Sequence, residues 1–176
     1  VVKLEEISKT SSGGTPKRTV SEYYNGDIPW VVISDITSSG KYLYDTATKI
    51  TKKGLENSSA KLYPKDVILY AMYASIGECT IAKEKVSSNQ AILCIDLNKE
   101  KADLEYVYYY LNSIKDRIKL KGQQGTQSNL NAGMVRNFNI PLPPLSKQKQ
   151  ISRTLATADL EIQLLNQKLE FLKEQK

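Results

Sequence analysis

"SKQKQISRTLATADLEIQLLNQKLEFLKEQK", residues 146–176, decides the fold, because it contains neither glycine nor proline and repeats every seven residues. Its apolar positions step alternately by four and three, which is the a/d pattern of a coiled coil. This apolar seam consists of Ile151, Leu155, Ala158, Ile162, Leu165, Leu169 and Leu172. A helix of about 30 residues is roughly 45 Å long. That length favours a rod paired with a second helix over a terminal helix folded onto its own domain.

An extended segment precedes this helix. "IPLPPL", residues 140–145, contains three prolines, which remove backbone donors and disfavour helix in the residues before them. Ser146 then stands where the N-cap of a helix is expected. Because the composition changes at this point, we predict a domain over residues 1–145 and a long spacer or dimerisation helix over residues 146–176.

The first 145 residues mix strand and helix patterns. Strands are predicted at about residues 29–36, 67–73, 79–83 and 90–97, with a turn at Asn25–Gly26. The last of these strands is apolar almost throughout, so we expect both of its faces to be buried. "DLEYVYYYLNSIKDRIKL", residues 103–120, has helical periodicity with Asp103 as its N-cap, so its tyrosines belong to the helix surface and core. The predicted fold class is therefore α+β, a mixed α/β domain followed by a long C-terminal coiled-coil helix.

The composition limits the chemistry that this chain can perform. Histidine is absent, which excludes Ser–His–Asp and Cys–His catalysis and metal sites that contain histidine. Cys79 and Cys94 lie in apolar, strand-like runs and are predicted to be buried, reduced thiols. No phosphate-binding loop or metal-dependent nuclease pattern is present. We predict a protein that is not an enzyme by itself and uses neither a metal nor a cofactor.

The charge and hydropathy indicate a partner and a location. The net charge of +6 favours a polyanionic partner. No apolar run is long enough to span a bilayer, and the N-terminus does not resemble a signal peptide. A cytoplasmic protein without membrane contact is therefore expected.

Neutral amides are concentrated in "GQQGTQSNLN", residues 122–131, directly after the basic stretch "KDRIKLK". Asn and Gln can make bidentate contacts with adenine, and neighbouring cations can hold phosphates. The same side chains can also close turns, and we assign Asn129 and Leu130 to that scaffold role. The candidate DNA contacts in this region are Lys119, Lys121, Gln123, Gln124 and Gln127, with the last equally suited to either role.

Two further segments carry candidate DNA contacts. Lys17 and Arg18 follow "GGTP" in a polar loop. The tight connection "MYASIGE", residues 72–78, contributes Tyr73, Ser75 and Gly77. Tyr70 or Tyr73 can stack on a base or wedge between bases, although a core role fits the pattern equally well. Gly77 permits close approach of a backbone. Asn89 and Gln90 begin a buried strand and can contact DNA there, but capping a bend is the more common use of such side chains.

Several motifs occur in a fixed order along the chain. They are "GGTPKR" (13–18), "YYNGDIPWVVISDI" (23–36), "NQAILCI" (89–95), "GTQSNLN" (125–131) and "NIPLPPLSKQKQI" (139–151). Together with the heptad helix, this ordered set resembles the specificity subunit of type I restriction–modification systems. The resemblance covers nearly the whole chain.

The resemblance implies a role in DNA recognition. A full subunit of that family carries two target recognition domains and two long helices that pack antiparallel as a spacer. Each domain reads one half of a split site, and the subunit is not catalytic. It docks DNA methyltransferase (modification) subunits and ATP-dependent restriction subunits. This chain matches half of such a subunit, so its implied partners are double-stranded DNA, those subunits, and a second copy or second half-subunit through its helix.

Two alternatives remain open from the sequence. The chain is also compatible with the recognition segment of a fused restriction–methylation enzyme, which shares this module. A coiled-coil adaptor whose basic face binds a protein is the alternative from another functional class.

Overall fold

The computed structural model describes the backbone of residues 1–123 and 129–174 and the side chains of residues 1–120 and 129–174. Within these residues the strands are β1 (Val2–Lys3), β2 (Ser8–Ser12), β3 (Tyr24–Val31), β4 (Tyr42–Leu43), β5 (Lys49–Ile50), β6 (Val67–Ala71), β7 (Cys79–Ala82), β8 (Ser87–Ser88), β9 (Ile92–Leu97) and β10 (Asn139–Ile140). The α-helices are α1 (Ile33–Ser39), α2 (Lys52–Glu56), α3 (Leu104–Ser113), α4 (Lys115–Gln123), α5 (Ala132–Arg136) and α6 (Leu145–Glu174). The predicted α+β fold with a long C-terminal helix is confirmed.

A five-stranded sheet in the order β2-β9-β6-β7-β4 forms the centre of the fold. Its pairs are antiparallel except for β4, which runs parallel to β7. Ile68 lies between Ile95 on one neighbouring strand and Ile81 on the other. The predicted strands at 67–73, 79–83 and 90–97 are present, with ends that differ by one to two residues.

Both faces of this sheet are covered, as the continuous apolar run in β9 predicts. Ile68 and Ile95 point into a core that also contains Leu111 of α3. Their neighbours Leu69 and Cys94 point the other way, into a second core with Ile36 of α1 and other residues. This alternation along β6 and β9 places α3 and α1 on opposite sides of the sheet.

The strand predicted at residues 29–36 is wrong in its second half. β3 ends at Val31, and α1 begins at Ile33. The carboxylate of the buried Asp35 accepts hydrogen bonds from Val32 N (2.8 Å) and Ala47 N (3.2 Å). The bond from Val32 N satisfies a backbone donor at the helix start, and the bond from Ala47 N holds Asp35 in place from the segment before β5. Together they outweigh the strand preference of the β-branched run.

The turn predicted at Asn25–Gly26 is also revised, because both residues lie inside β3. Asn25 has a positive φ of 60°, and the pairing with β5 shifts register between Tyr24 and Ile28. The two residues therefore form an irregularity that bends the strand without ending it.

The helix predicted over residues 103–120 is broken into α3 and α4 at Ile114. Asp103 is its N-cap, as predicted, and accepts a hydrogen bond from Tyr106 N (2.9 Å). The break leaves Ile114 buried in the main core. Ser113 donates to the carbonyl of Tyr110 (2.7 Å), which offers the last turn a local alternative to continued helix.

α6 begins one residue earlier than predicted. The Pro144 carbonyl accepts from Lys147 N (2.8 Å) and Gln148 N (3.1 Å), so Ser146 lies within the first turn and is not the N-cap. The buried Gln148 donates to Lys101 O (3.1 Å) and accepts from Asp103 N (2.9 Å), which fastens the helix to the start of α3.

The remaining features concern the cysteines and the hydropathy. Cys79 and Cys94 are buried and unbridged, as predicted. Burial raises the pKa of each thiol to about 12. Among the helices described, none combines the length and the apolar character needed to cross a bilayer.

Candidate nucleic-acid interface

Four segments meet at one end of the central sheet, which we call the loop end. They are residues 13–18 after β2, residues 72–78 between β6 and β7, residues 89–91 before β9, and residues 129–131. Backbone hydrogen bonds run from Met72 N to Ala91 O (2.9 Å) and from Leu130 N to Met72 O (3.0 Å). The first segment is held by a bond from Gly14 N to Ser88 O (2.9 Å), at the end of β8, and by a bond from the Thr15 hydroxyl to Gln90 Oε1 (2.7 Å). The topology therefore collects the sequence-predicted segments into one surface.

Lys17 and Arg18 are exposed on a loop that is held in place. Trp30 Nε1 donates to Gly14 O (3.0 Å), and the Tyr24 hydroxyl donates to Pro16 O (2.7 Å). A Cβ on Gly14 would lie 2.2 Å from Ser59 Oγ, so the loop path requires glycine there. Two solvated cations on a fixed loop are suited to contact phosphates without a large ordering cost.

The connection at residues 72–78 separates its candidates by burial. Tyr73 is 38% exposed, and Ser75 is half-buried. Gly77 is buried with a φ of +86°, and a Cβ there would lie 2.9 Å from Lys115 Cγ. The close approach that Gly77 permits is thus made by a lysine of α4. Tyr70 is fully buried, which assigns it to the core and leaves Tyr73 as the tyrosine available for stacking.

The lysines of α4 are paired within the domain. Lys115 and Lys119 lie 3.2 Å and 3.3 Å from Glu78 Oε1. Burial raises the pKa of Glu78, but hydrogen bonds from the two lysines outweigh that effect and hold its pKa below the ordinary value. Lys119 is therefore paired with the carboxylate of Glu78, which competes with DNA phosphates for the lysine. The sequence pattern did not reveal this ion pair.

The amide-rich segment is only partly described. The side chains of Lys121 and Gln123, and residues Gln124 and Gln127, lie outside the described part of the chain. Their predicted DNA contacts stay predictions. Beyond them, Leu130 is half-buried against the main core, in keeping with a scaffold role.

Three amide side chains at the loop end have structural partners. Asn89 Oδ1 accepts from Ala91 N (3.0 Å), which is the bend-capping use favoured from the sequence. Gln90 Oε1 accepts from the Thr15 hydroxyl (2.7 Å). Asn131, which the sequence reasoning did not single out, caps α5 through Met134 N (3.0 Å). An N-cap residue before a short apolar run was the available signal.

A polar network at the side of the domain joins it to α6. Lys41 Nζ lies 2.8 Å from Glu105 Oε2 and 3.0 Å from the Tyr109 hydroxyl, and Tyr42 donates to the same carboxylate. Tyr109 in turn donates to Asp159 Oδ2 (2.6 Å). Burial and then this carboxylate raise the pKa of Tyr109. Because the network links β4, α3 and α6, it fixes the direction of the long helix relative to the sheet.

α6 is buried only where it touches the domain. Gln148 and Ser152 are buried, and Ile151 packs partly against the main core. The other six seam residues are exposed from Leu155 onward. The start of the helix thus folds onto its own domain, as in the alternative of a terminal helix packed on the domain. The rest of the helix projects into solvent, which leaves its seam free for the second helix that the rod alternative expects.

A second apolar stripe runs along the projecting part of α6. Leu160, Leu164 and Phe171 are each more than half exposed. At 100° per residue they lie on the face opposite the seam. The sequence contained this signal, but the heptad pattern alone does not report it. A helix with two exposed apolar faces has room for two different packing partners.

Comparison with known proteins identifies the family. The family model for the type I restriction modification DNA specificity domain matches residues 1–174. The MjaIX specificity subunit of Methanocaldococcus jannaschii is 31% identical over 163 residues, which cover 90% of this chain and 37% of that protein. The EcoprrI specificity subunit of Escherichia coli is 28% identical over 154 residues, covering 85% and 38%. The chain thus spans about two-fifths of the length of these relatives.

Solved structures share the fold. The HsdS subunit from Thermoanaerobacter tengcongensis superposes with a TM-score of 0.70 at 19% identity, covering 93% of this chain and 38% of that one. A chain from a structural study of complex assembly and conformational transition in the type I R-M system gives 0.74 at 20% identity, covering 93% and 39%. On the family match and the shared fold, the chain belongs to the type I restriction modification DNA specificity domain family.

Proposed function

We propose that this chain recognises one half of a split DNA site for a type I restriction–modification complex. The observation that carries the proposal is the family match over residues 1–174, and it is supported by a loop end that includes the candidates Lys17, Arg18 and Tyr73. In this proposal residues 1–145 are the target recognition domain, and residues 146–176 are the spacer helix. The chain itself is not catalytic and works in the cytoplasm.

The loop end is the surface proposed to face DNA. Lys17 and Arg18 are exposed there and would contact phosphates, which set position on the duplex. Tyr73 offers an exposed ring at the same end of the sheet. Gln123 and Gln124 are the proposed readers of base edges in the major groove, whereas Gln127 is equally suited to base reading and to the scaffold.

α6 is proposed to measure the distance between two half-sites. Its 30 residues correspond to roughly 45 Å of rod, or about 13 base pairs of B-DNA. The exposed seam is the surface for a second helix, from a second copy or a second half-subunit. Half-sites about one helical turn apart suit a two-fold pair on one face of DNA.

The second apolar stripe, Leu160, Leu164 and Phe171, is proposed as a docking surface for the methyltransferase or restriction subunits. Its exposure supports this role, because a two-helix pair covers the seam and leaves the opposite face free. The partners would supply methylation and ATP-dependent cleavage. This chain would supply the sequence information.

The test is enrichment of bound sequences from a random duplex DNA library at near-physiological salt. The proposal predicts recovery of two short half-sites separated by a fixed gap. A palindromic pair would show that the chain acts as a homodimer. The selection is repeated with the modification subunit present, because that subunit can clamp DNA. Enrichment of nothing in either selection contradicts the proposal and favours the protein-binding adaptor.

A further inference from the structure

The loop that follows α2 lies directly against the loop end. A Cβ on Gly14 would lie 2.4 Å from the carbonyl carbon of Ser59 and 2.5 Å from Ala60 N, so the backbones of the two loops are in contact. Gly14 belongs to the segment that carries two of the candidate DNA contacts. Residues 58–61, which we call the α2 loop, therefore extend the loop end by a segment that the sequence patterns did not predict.

The α2 loop is held in a fixed conformation. The Ser58 hydroxyl donates to Gly54 O (2.8 Å) and accepts from Ala60 N (3.2 Å). Ala60 is buried, and so is Tyr63 beyond the end of the loop. Lys61 thus stands between two buried anchors, and its backbone is already ordered before any ligand binds. A cation on such a loop contacts an anion at a small entropic cost.

The charge of Lys61 is oriented but not neutralised. Lys61 is exposed, and its Nζ donates to Ser11 Oγ (2.9 Å) in β2. A hydroxyl positions the ammonium group without cancelling its charge. The two lysines of α2, by contrast, each form an ion pair with a glutamate. Within the part of the chain that the structure describes, Lys61 forms no ion pair.

We infer that the α2 loop is a further part of the surface that contacts DNA, with Lys61 as a contact for a backbone phosphate. This inference rests on the proposed function and adds a contact segment to it. Ser11, which orients Lys61, precedes Lys17 by six residues, so their Cα atoms lie at most roughly 22 Å apart. Phosphates of one strand follow each other at about 3.4 Å along the duplex axis, so about six of them span that distance. One strand of DNA can therefore contact Lys61 and Lys17 together.

A purely structural role for Lys61 is the competing explanation. β2 is an edge strand of the central sheet, and a lysine beside such an edge hinders pairing with another chain. Lys9 is exposed in β2 itself, so this edge carries a charge of its own, but Lys9 lies opposite Asp96 on β9. Lys61 instead lies beside the loop end with a hydroxyl as its partner. That environment suits a phosphate contact better than that of Lys9 does.

Titration of a duplex that carries one half-site, at several salt concentrations, tests the contact. We expect Lys61→Ala to reduce the salt slope of log K by about 1 and to weaken binding roughly three- to tenfold at about 0.1 M salt. The loss should be the same on a duplex of unrelated sequence, because phosphates carry no sequence information. Lys61→Arg keeps the charge and should restore the slope. Lys99→Ala, an exposed lysine at the opposite end of β9, is the matched control and should leave the slope unchanged.

Ser11→Ala separates the phosphate role from the structural one. It removes the hydrogen-bond partner of Lys61 but keeps the charge, so the salt slope should equal that of the unmodified chain. Equal reductions of the slope by Ser11→Ala and Lys61→Ala overturn the inference. An unchanged slope for Lys61→Ala, in a chain that binds DNA, also overturns it and leaves the proposed function intact. Absence of salt-dependent binding by the unmodified chain overturns both.

DNA cleavage by an attached iron chelate tests the position of the α2 loop. Leu62→Cys carries the chelate on an exposed side chain next to Lys61, and Lys99→Cys carries it beyond the other end of β9, six strand residues or roughly 20 Å away. Cys79 and Cys94 are buried and do not take the label. We expect cuts at or beside the half-site from position 62 and none from position 99. The inference is overturned if position 62 gives no cuts while the protein is bound, or if position 99 cuts as strongly.

Discussion

Insertion of one heptad into α6 tests whether the helix measures the DNA spacer. Seven residues placed immediately before Leu165, with Leu at the seam positions and Gln at the flanking positions, keep the seam continuous. The added rise is about 10.5 Å, which corresponds to about three base pairs of B-DNA. We therefore expect the preferred gap between half-sites to lengthen by about three base pairs.

The assay is selection from duplexes that hold the enriched half-sites fixed and vary the gap one base pair at a time. Three base pairs also turn the second half-site by roughly 100° around the duplex, so we expect weaker binding at the new optimum. The position of the optimum is therefore the observable. The same heptad added after Glu174, beyond the seam, is the control and should leave the gap unchanged. If the internal insertion leaves the preferred gap unchanged, α6 does not set the spacing between the half-sites.

Three further predictions concern the domain. The Lys17→Ala/Arg18→Ala variant should weaken binding similarly for all DNA sequences and reduce the salt slope of log K by about 2, measured by titration at several salt concentrations. If the variant instead lost its preference for the enriched half-site over other sequences, that result would contradict a phosphate role for Lys17 and Arg18. Glu78→Gln should release its two lysine partners and steepen the same salt slope, while lowering the free energy of unfolding at pH 7. Because its folded pKa is lowered, Glu78 stabilises the fold above about pH 4.5 and loses that effect as pH falls through the folded pKa, so urea unfolding of the two proteins should converge at acidic pH. Tyr109→Phe removes the hydrogen bond to Asp159 and should lower the free energy of unfolding, measured in urea, by about 1 kcal/mol. The same variant should bind half-sites over a broader range of gaps without changing the half-site sequence.

Periodicity in the sequence predicted the framework of this molecule. The apolar run of β9 predicted a strand covered on both faces, and both of its faces are packed. Asp103 and the apolar spacing after it predicted the start of α3. The heptad predicted the helix α6, and the change of composition at Ser146 predicted its start to within one residue. These features depend on residues close together in the chain, which is why pattern reasoning reaches them.

The errors arose where distant residues decide the local structure. Asp35 turns residues 33–36 into helix by bonding Val32 and also Ala47, twelve residues away. The break at Ile114 follows from its burial in a core built by several elements. The contact with Ala47 and the burial of Ile114 depend on residues far away in the sequence, so no local pattern predicts them.

The candidate site shows the same division. The sequence predicted Lys17 and Arg18 as DNA contacts, and both are exposed at the loop end. It could not reveal that Lys119 is tethered to Glu78, forty-one residues earlier, or that Lys41 and Tyr109 connect the domain to α6. Such contacts form only when the sheet brings separate segments together.

The most direct test of the central claim is selection from a random duplex library by the unmodified chain and by an Ile162→Glu/Leu165→Glu variant, side by side. The substitutions place charges in the exposed seam and should separate the pair without touching the domain core. We expect an inverted pair of half-sites with a fixed gap for the unmodified chain, and a single copy of the same half-site for the variant. Recovery of the same spaced pair by both proteins would contradict the claim that one domain reads each half and the helix sets their spacing.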